Sequence, residues 1–162
     1  MIRALRELYH FHFRDERRER LFLASIAFLV TFGTVRGLTH MIRANIGPFH
    51  NVTTGGVHIH HLVWGILLLL VVAYVWLLEI GVGSNWVASA TAIAFGIGAA
   101  LTLDEFALWL NLSDVYWERQ GRESIDAVLI FGGLLSVGVW GWPFFRGLSD
   151  LVRRHKPESG GA

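Results

Sequence analysis

Histidines and carboxylates gather near the ends of the apolar segments of this chain. His58, His60 and His61 precede one segment, and Asp104 and Glu105 lie near the end of the next. Imidazole and carboxylate groups together suit Zn, Fe or Mn. Two histidines and one carboxylate would also leave coordination positions open, as a catalytic metal requires. These residue types therefore predict a metal site at a shared end of the apolar segments.

Helical spacing predicts which of these residues meet. His58 and His61 are three residues apart, which would place them on one helix face above Gly65, with His60 rotated away. Small residues that recur every four positions let helices approach closely. On the next segment such a row leads to Asp104, and it consists of Ala88, Ala92, Gly96 and Ala100. We therefore expect Asp104 to face the histidines.

Two further segments extend the predicted site. Gly33 and Gly37 lie at helical spacing before His40. Asp126 lies seven residues before Gly133. We expect these small residues to face the other helices, which would bring both polar groups into the same pocket. The predicted metal ligands are His58, His61, Asp104, His40 and Asp126.

Other side chains near these ligands are suited to catalysis beside a metal. Glu105 or Glu118 would act as a general base on a metal-bound water. Arg122, or Arg36, would hold an anionic group of the substrate. Because the site would open at the outer membrane interface, among lipid headgroups, we predict a metal-dependent membrane enzyme that acts on a lipid or another amphiphile.

The same residues also fit a structural cluster without a reaction. Ion pairs between Arg36 and Asp104, or between Arg122 and Asp126, would lock the helices together. The protein would then be a non-enzymatic subunit or assembly factor of a larger membrane complex. A haem between two histidines fits less well because carboxylates would crowd the ring. Conduction would require ionisable groups through the full membrane thickness, which the sequence does not provide.

Transmembrane helices are the elements that would position these residues. The chain has 162 residues, of which 53% are hydrophobic and 17% charged, whereas soluble domains carry about 25% charged residues. A helix needs roughly 20 apolar residues to span a bilayer. Four stretches are long enough, near residues 21–39, 58–78, 84–110 and 124–145. We predict an all-α, four-helix transmembrane domain over residues 21–146.

The distribution of basic residues predicts the orientation of this bundle. Ten of the 14 lysines and arginines lie in residues 1–20 or from Arg146 onward, so the positive-inside rule puts both termini in the cytoplasm. Residues 1–20 would form either an interfacial amphipathic helix or a solvated tail, and residues 147–162 a basic cytoplasmic tail. We expect a multi-pass protein of the inner (plasma) membrane, with the lipid bilayer as its surroundings and a lipid substrate or a membrane protein as its partner.

Cysteine content and net charge exclude several classes of function. The chain has no cysteine, which excludes disulfides, thiolate metal sites and a cysteine nucleophile. Its net charge of +1 indicates no nucleic-acid partner.

Several short motifs resemble those of a family of small, uncharacterised bacterial integral membrane proteins with four helices. They are the His-Ile-His-His string at 58–61, Leu-Asp-Glu-Phe at 103–106, Asp-Val-Tyr-Trp at 114–117 and Gly-Arg-Glu-Ser-Ile-Asp-Ala at 121–127. The resemblance covers the chain from the second span to the fourth. It implies the four-helix topology and the polar positions, and it implies no activity.

Overall fold

The described part of the chain is a bundle of helices. The structure is a computed structural model that describes residues 13–48, 53–54, 57–112 and 122–154, and the side chains of these residues except 53–54, 57–58, 137 and 141–154. The helices are α1 (Glu16–Arg43), α2 (His61–Leu77), α3 (Asn85–Asp104), α4 (Phe106–Asn111) and α5 (Arg122–Arg154). Between α1 and α2, β1 (Thr53–Thr54) pairs antiparallel with β2 (Val57–His58). The predicted helical class is confirmed for this part of the chain.

Three of the helices are long and apolar enough to cross a membrane. They are α1, α3 and the portion Arg122–Trp140 of α5. Helix α2 is also apolar, but its 17 residues fall short of the roughly 20 that span a bilayer. Three of the four predicted stretches thus contain a helix of sufficient length and apolar composition, and their insertion in a membrane stays a prediction. The fourth span and the orientation in a membrane stay predictions.

Helix α1 begins earlier than the sequence pattern predicts. The Asp15 side chain caps it by accepting hydrogen bonds from the backbone N–H groups of Arg17 and Arg18, at 2.9 and 3.4 Å. The end of the predicted basic N-terminal segment therefore forms the first turn of α1. Helix α5 likewise continues past residue 146, the predicted end of the transmembrane domain. Residues 1–12 of the predicted N-terminal segment, as interfacial helix or tail, and residues 155–162 of the predicted C-terminal tail lie outside the described residues.

Helix α3 packs against α1, α2 and α5 through its small residues. A side chain at Gly96 would clash with the backbone carbonyl oxygen of Ala24 on α1. On the α2 side, a Cβ at Gly65 would lie 2.6 Å from the Thr102 hydroxyl of α3. Ala100, in the same row as Gly96, is fully buried. The predicted row of small residues on α3 is therefore a helix-packing face, and it leads to Asp104 as expected.

The predicted packing faces of α1 and α5 are wrong. Nothing in the described part of the chain lies within 4 Å of a Cβ built at Gly33, Gly37 or Gly133. Helix α1 instead packs through Phe28, which is fully buried and contacts the Phe131 ring of α5 in a tilted arrangement at a ring-centroid distance of 5.2 Å. A large aromatic side chain buries far more apolar surface than a glycine can, so the aromatic face was favoured over the glycine face.

Candidate functional site

Asp104, the last residue of α3, is fully buried between two basic side chains. Its Oδ1 lies 2.5 Å from Nε of Arg36 on α1, and both atoms are enclosed by protein. Its Oδ2 lies 3.0 Å from Nε2 of His61, the first residue of α2. One carboxylate therefore joins three helices, and each of its oxygens faces a nitrogen of a different helix.

Arg36 is held in place by more than its ion pair. Its Nη2 donates a hydrogen bond to the backbone carbonyl oxygen of Asp104 at 3.4 Å. Its guanidinium carbon lies 5.4 Å from the ring centroid of Phe32, one turn earlier on α1. The Arg36 side chain is 17% exposed, so this ion pair belongs to the interior of the bundle and not to its surface.

Glu105 connects α3 to the start of α2. Its Oε2 accepts a hydrogen bond from the backbone N–H of Leu62 at 2.9 Å, and its Oε1 lies 2.7 Å from Nδ1 of His60. His60 is the N-cap residue of α2, and its own side chain makes no capping hydrogen bond. Glu105 therefore supplies the cap from another helix, and its negative charge lies at the positive end of α2. Nδ1 of His61 is 3.7 Å from the same Oε1.

The prediction of one continuous helix over residues 84–110 is wrong, because the helix breaks at Glu105. Helix α3 ends at Asp104, Glu105 has φ −108° and ψ 28°, and α4 begins at Phe106. The backbone N–H of Ala107 donates a hydrogen bond at 3.0 Å to the hydroxyl of Ser124 on α5, which is buried. The break is stabilised because Glu105 bonds to α2 and Ala107 to α5.

The helical stripe predicted through His58 and His61 is also absent. Helix α2 begins at His61, and His58 lies in the short strand β2, so helical spacing does not apply between them. The His58 side chain lies outside the described ones. His60 has an extended backbone, with φ −71° and ψ 145°, and its ring reaches Glu105. The expectation that His60 points away from the site is therefore wrong.

The structure joins five residues, which we name the His/carboxylate cluster: Arg36, His60, His61, Asp104 and Glu105. Three of these, His61, Asp104 and Glu105, were predicted as site residues, and Arg36 was considered as an anion-binding or ion-pair residue. His60 and Ser124 were missed. A histidine just before an apolar helix, in the position of an N-cap, is the sequence feature that could have indicated a role for His60.

The remaining predicted site residues lie elsewhere or outside the described part. His40 is exposed, and its Nδ1 is 2.8 Å from the Arg36 carbonyl oxygen of its own helix. Arg122 and Asp126 are exposed at the start of α5. Glu118 is not among the described residues. The predicted roles of these residues in metal binding and catalysis stay predictions.

Comparisons with known proteins give no further indication of function. No family model, curated protein or solved structure matches the chain. The resemblance to a family of small bacterial membrane proteins stays a prediction, and function must be argued from the geometry of the His/carboxylate cluster.

The chemistry of the cluster favours ion pairing over metal coordination. Among the described residues, no group of three or more histidines and carboxylates is arranged to hold a metal ion. The Asp104 carboxylate faces the Arg36 guanidinium, whose fixed charge opposes a cation at that position. The His60 ring, in contrast, is oriented by the Glu105 carboxylate at its Nδ1. When that carboxylate is ionised it can only accept a hydrogen bond, so Nδ1 is then the donor. The cluster thus combines a buried ion pair with a carboxylate-oriented histidine.

Proposed function

We propose that the protein is a multi-pass integral membrane protein. Three helices have the necessary length and composition, and only 11% of the apolar window of α1 is buried within the protein. Large apolar side chains are exposed on several helices, among them Val30, Val71 and Leu129, at 62, 59 and 67% exposure. Soluble monomers rarely expose apolar patches this extensive, and the hydrocarbon of a bilayer would cover them.

Within the membrane, we propose that the protein acts without catalysis, as a subunit or assembly factor of a larger membrane complex. One observation carries this proposal: the Asp104 carboxylate is paired with Arg36 through one oxygen and with His61 through the other. A carboxylate that is already paired with a buried guanidinium is better suited to joining helices than to binding a metal ion. The cluster then holds α1, α2 and α3 in one register.

The α1 face that carries Gly33 and Gly37 supports a role in assembly. The described residues leave this face open, although small residues at this spacing usually allow close approach of another helix. Because the ion pairs of the cluster fix the position of α1 relative to α2 and α3, they also fix the orientation of this face. We therefore propose that a helix of a partner membrane protein packs on this face.

Purification in mild detergent tests this proposal. We expect one stoichiometric membrane-protein partner on a native gel, and less than about 0.1 equivalents of Zn, Fe or Mn by elemental analysis. Gly33→Ile combined with Gly37→Ile should release the partner because the added side chains separate the helices. A control variant, Ser25→Ile, adds an apolar side chain elsewhere on α1 and should not. Migration as a monomer or a homo-oligomer, with the glycine variant unchanged, would contradict the proposal.

A metal-dependent enzyme acting on a lipid or amphiphile is the second candidate, and the pairing of His60 with Glu105 favours it. Histidines that bind metals usually donate their other N–H to a carboxylate or carbonyl, as the 2.7 Å contact allows. Further ligands would have to come from side chains outside the described ones, such as His58 or Glu118. About one equivalent of bound metal in the purified protein, lost in His60→Ala and retained in His40→Ala, would establish this candidate over the first.

A further inference from the structure

A cavity of about 310 Å³ lies at the end of the bundle opposite to the His/carboxylate cluster. It lies between the first turns of α1, the end of α2, the 78–84 loop and the start of α3. Its lining is mixed, because Glu16, Arg20 and Glu79 supply charges, Trp76 an aromatic ring, and Val87 an apolar wall. Neither proposed function uses this cavity.

The 78–84 loop builds one wall of the cavity in a defined conformation. The backbone N–H groups of Glu79 and Ile80 bond back to the carbonyl oxygens of Trp76 and Val75, at 3.1 and 3.2 Å, which ends α2 in a Schellman-type turn. This turn places Glu79 at φ 53°, a position that glycine usually occupies. Gly81, also at positive φ, packs against Val87 of α3. The chain thus carries a carboxylate where glycine would be less strained.

The lining charges select for a ligand that carries both signs. Arg20 pairs with Glu16 one turn away at 3.5 Å, so Glu79 leaves the lining with a net charge of −1, which favours a ligand with an ammonium group. Arg20 is suited to a phosphate, since guanidinium binds phosphate oxygens in a fork geometry. Trp76, stacked on Phe95 at 6.0 Å, provides an amphipathic ring of the kind found at membrane interfaces. A phosphate joined to a primary ammonium satisfies both charge types at once.

We propose that this cavity binds the phosphoethanolamine headgroup of a membrane lipid, with the ammonium at Glu79 and the phosphate at Arg20. A primary ammonium offers three hydrogen-bond donors to carboxylates, whereas the quaternary ammonium of choline offers none. The exposed apolar residues Ile80 and Val82 of the loop then lie beside the acyl chains.

Native mass spectrometry of the detergent-solubilised protein tests the proposal. The protein is mixed with equal amounts of phosphatidylethanolamine, phosphatidylcholine and phosphatidylglycerol that carry the same acyl chains. We expect preferential retention of phosphatidylethanolamine, and a loss of about fivefold in Glu79→Gln, in keeping with a partly exposed charge pair. Glu19→Gln removes one carboxylate from the first turns of α1, outside the cavity lining, and should keep the preference. Equal retention of all three lipids by the unaltered protein would overturn the proposal.

A second variant separates lipid binding from folding. Glu79→Gly removes the carboxylate and relieves the positive φ, so it should fold at least as stably as the parent chain and still lose the preference. A stable Glu79→Gly variant that keeps the preference would refute the role of the carboxylate. Free O-phosphoethanolamine distinguishes the ligand source: binding as tight as that of the lipid would assign the cavity to a soluble ligand and overturn the lipid proposal.

Discussion

Replacement of Arg36 by Gln tests whether the His/carboxylate cluster holds the bundle together. The Asp104 carboxylate is fully buried, and the Arg36 side chain is 17% exposed. Gln is shorter than Arg and uncharged, so Arg36→Gln leaves the Asp104 charge inside the bundle without its guanidinium partner. Removing one member of a buried pair typically costs about 3–5 kcal/mol.

The structure places the expected loss at the lower end of that range. Asp104 keeps the contact of 3.0 Å with His61, so we expect Arg36→Gln to lower the free energy of unfolding by about 3 kcal/mol. For a chain of this size, 1 kcal/mol corresponds to roughly 2–4 °C in Tm, so Tm should fall by about 6–12 °C. Asp104→Asn in the Arg36→Gln background neutralises the stranded carboxylate and should recover part of the loss, which appears as a coupling energy of about 1.5–3 kcal/mol.

Unfolding in mixed micelles with increasing SDS, followed by tryptophan fluorescence, measures these energies, since the chain contains seven tryptophans. Arg20→Gln is the matched control. Arg20 pairs with Glu16 one turn away at 3.5 Å, on side chains that are 40 and 67% exposed, and such pairs contribute less than about 0.5 kcal/mol. A loss in Arg36→Gln no larger than in Arg20→Gln, or a coupling energy near zero, would refute the argument that the buried pair ties α1 to α3.

Three further substitutions test the packing and the helix break. Gly96→Ala should lower the free energy of unfolding by about 1–3 kcal/mol, because the added methyl group meets the Ala24 carbonyl oxygen. Gly33→Ala, which has open space around it among the described residues, should be neutral or stabilising by up to about 1 kcal/mol. SDS unfolding measures both variants, and equal effects would contradict the α1–α3 interface. Ser124→Ala leaves the Ala107 N–H without its acceptor and should cost about 1–2 kcal/mol. Amide exchange at Ala107 that is no faster in Ser124→Ala would show that this bond does not stabilise the break.

Much of the fold follows from local features of the sequence. Apolar length predicts the helices, because a helix satisfies its own backbone hydrogen bonds wherever water is absent. The row of small residues that includes Gly96 predicts the packing face of α3, because only small side chains let two backbones approach closely. Clusters of ionisable residues at helix ends likewise indicate that Asp104 and Glu105 are directed inward, since such groups are too costly to leave in hydrocarbon.

Of the pairings within the site, only the one between Arg36 and Asp104 was predicted, as the structural alternative to a metal site. The prediction paired His58 with His61 and excluded His60, because it assumed helical spacing where the chain is extended up to His60. It also joined α3 and α4 into one helix, because the break at Glu105 is stabilised by groups more than 15 positions away in sequence, at Leu62 and Ser124. Contacts between residues so far apart in the sequence produce no periodic pattern in it.

The sequence alone therefore determined where the apolar helices lie and that Asp104 and Glu105 are buried, because burial cost and helix length depend on residue type and order. Tertiary structure decided that Asp104 pairs with Arg36, which the sequence offered only as an alternative, and that Glu105 caps α2. The physical reason is that a buried charge takes whichever opposite charge or N–H group the packed helices bring within about 3 Å. That choice depends on helix rotation and on one local break, and neither is encoded by the spacing of residues along the chain.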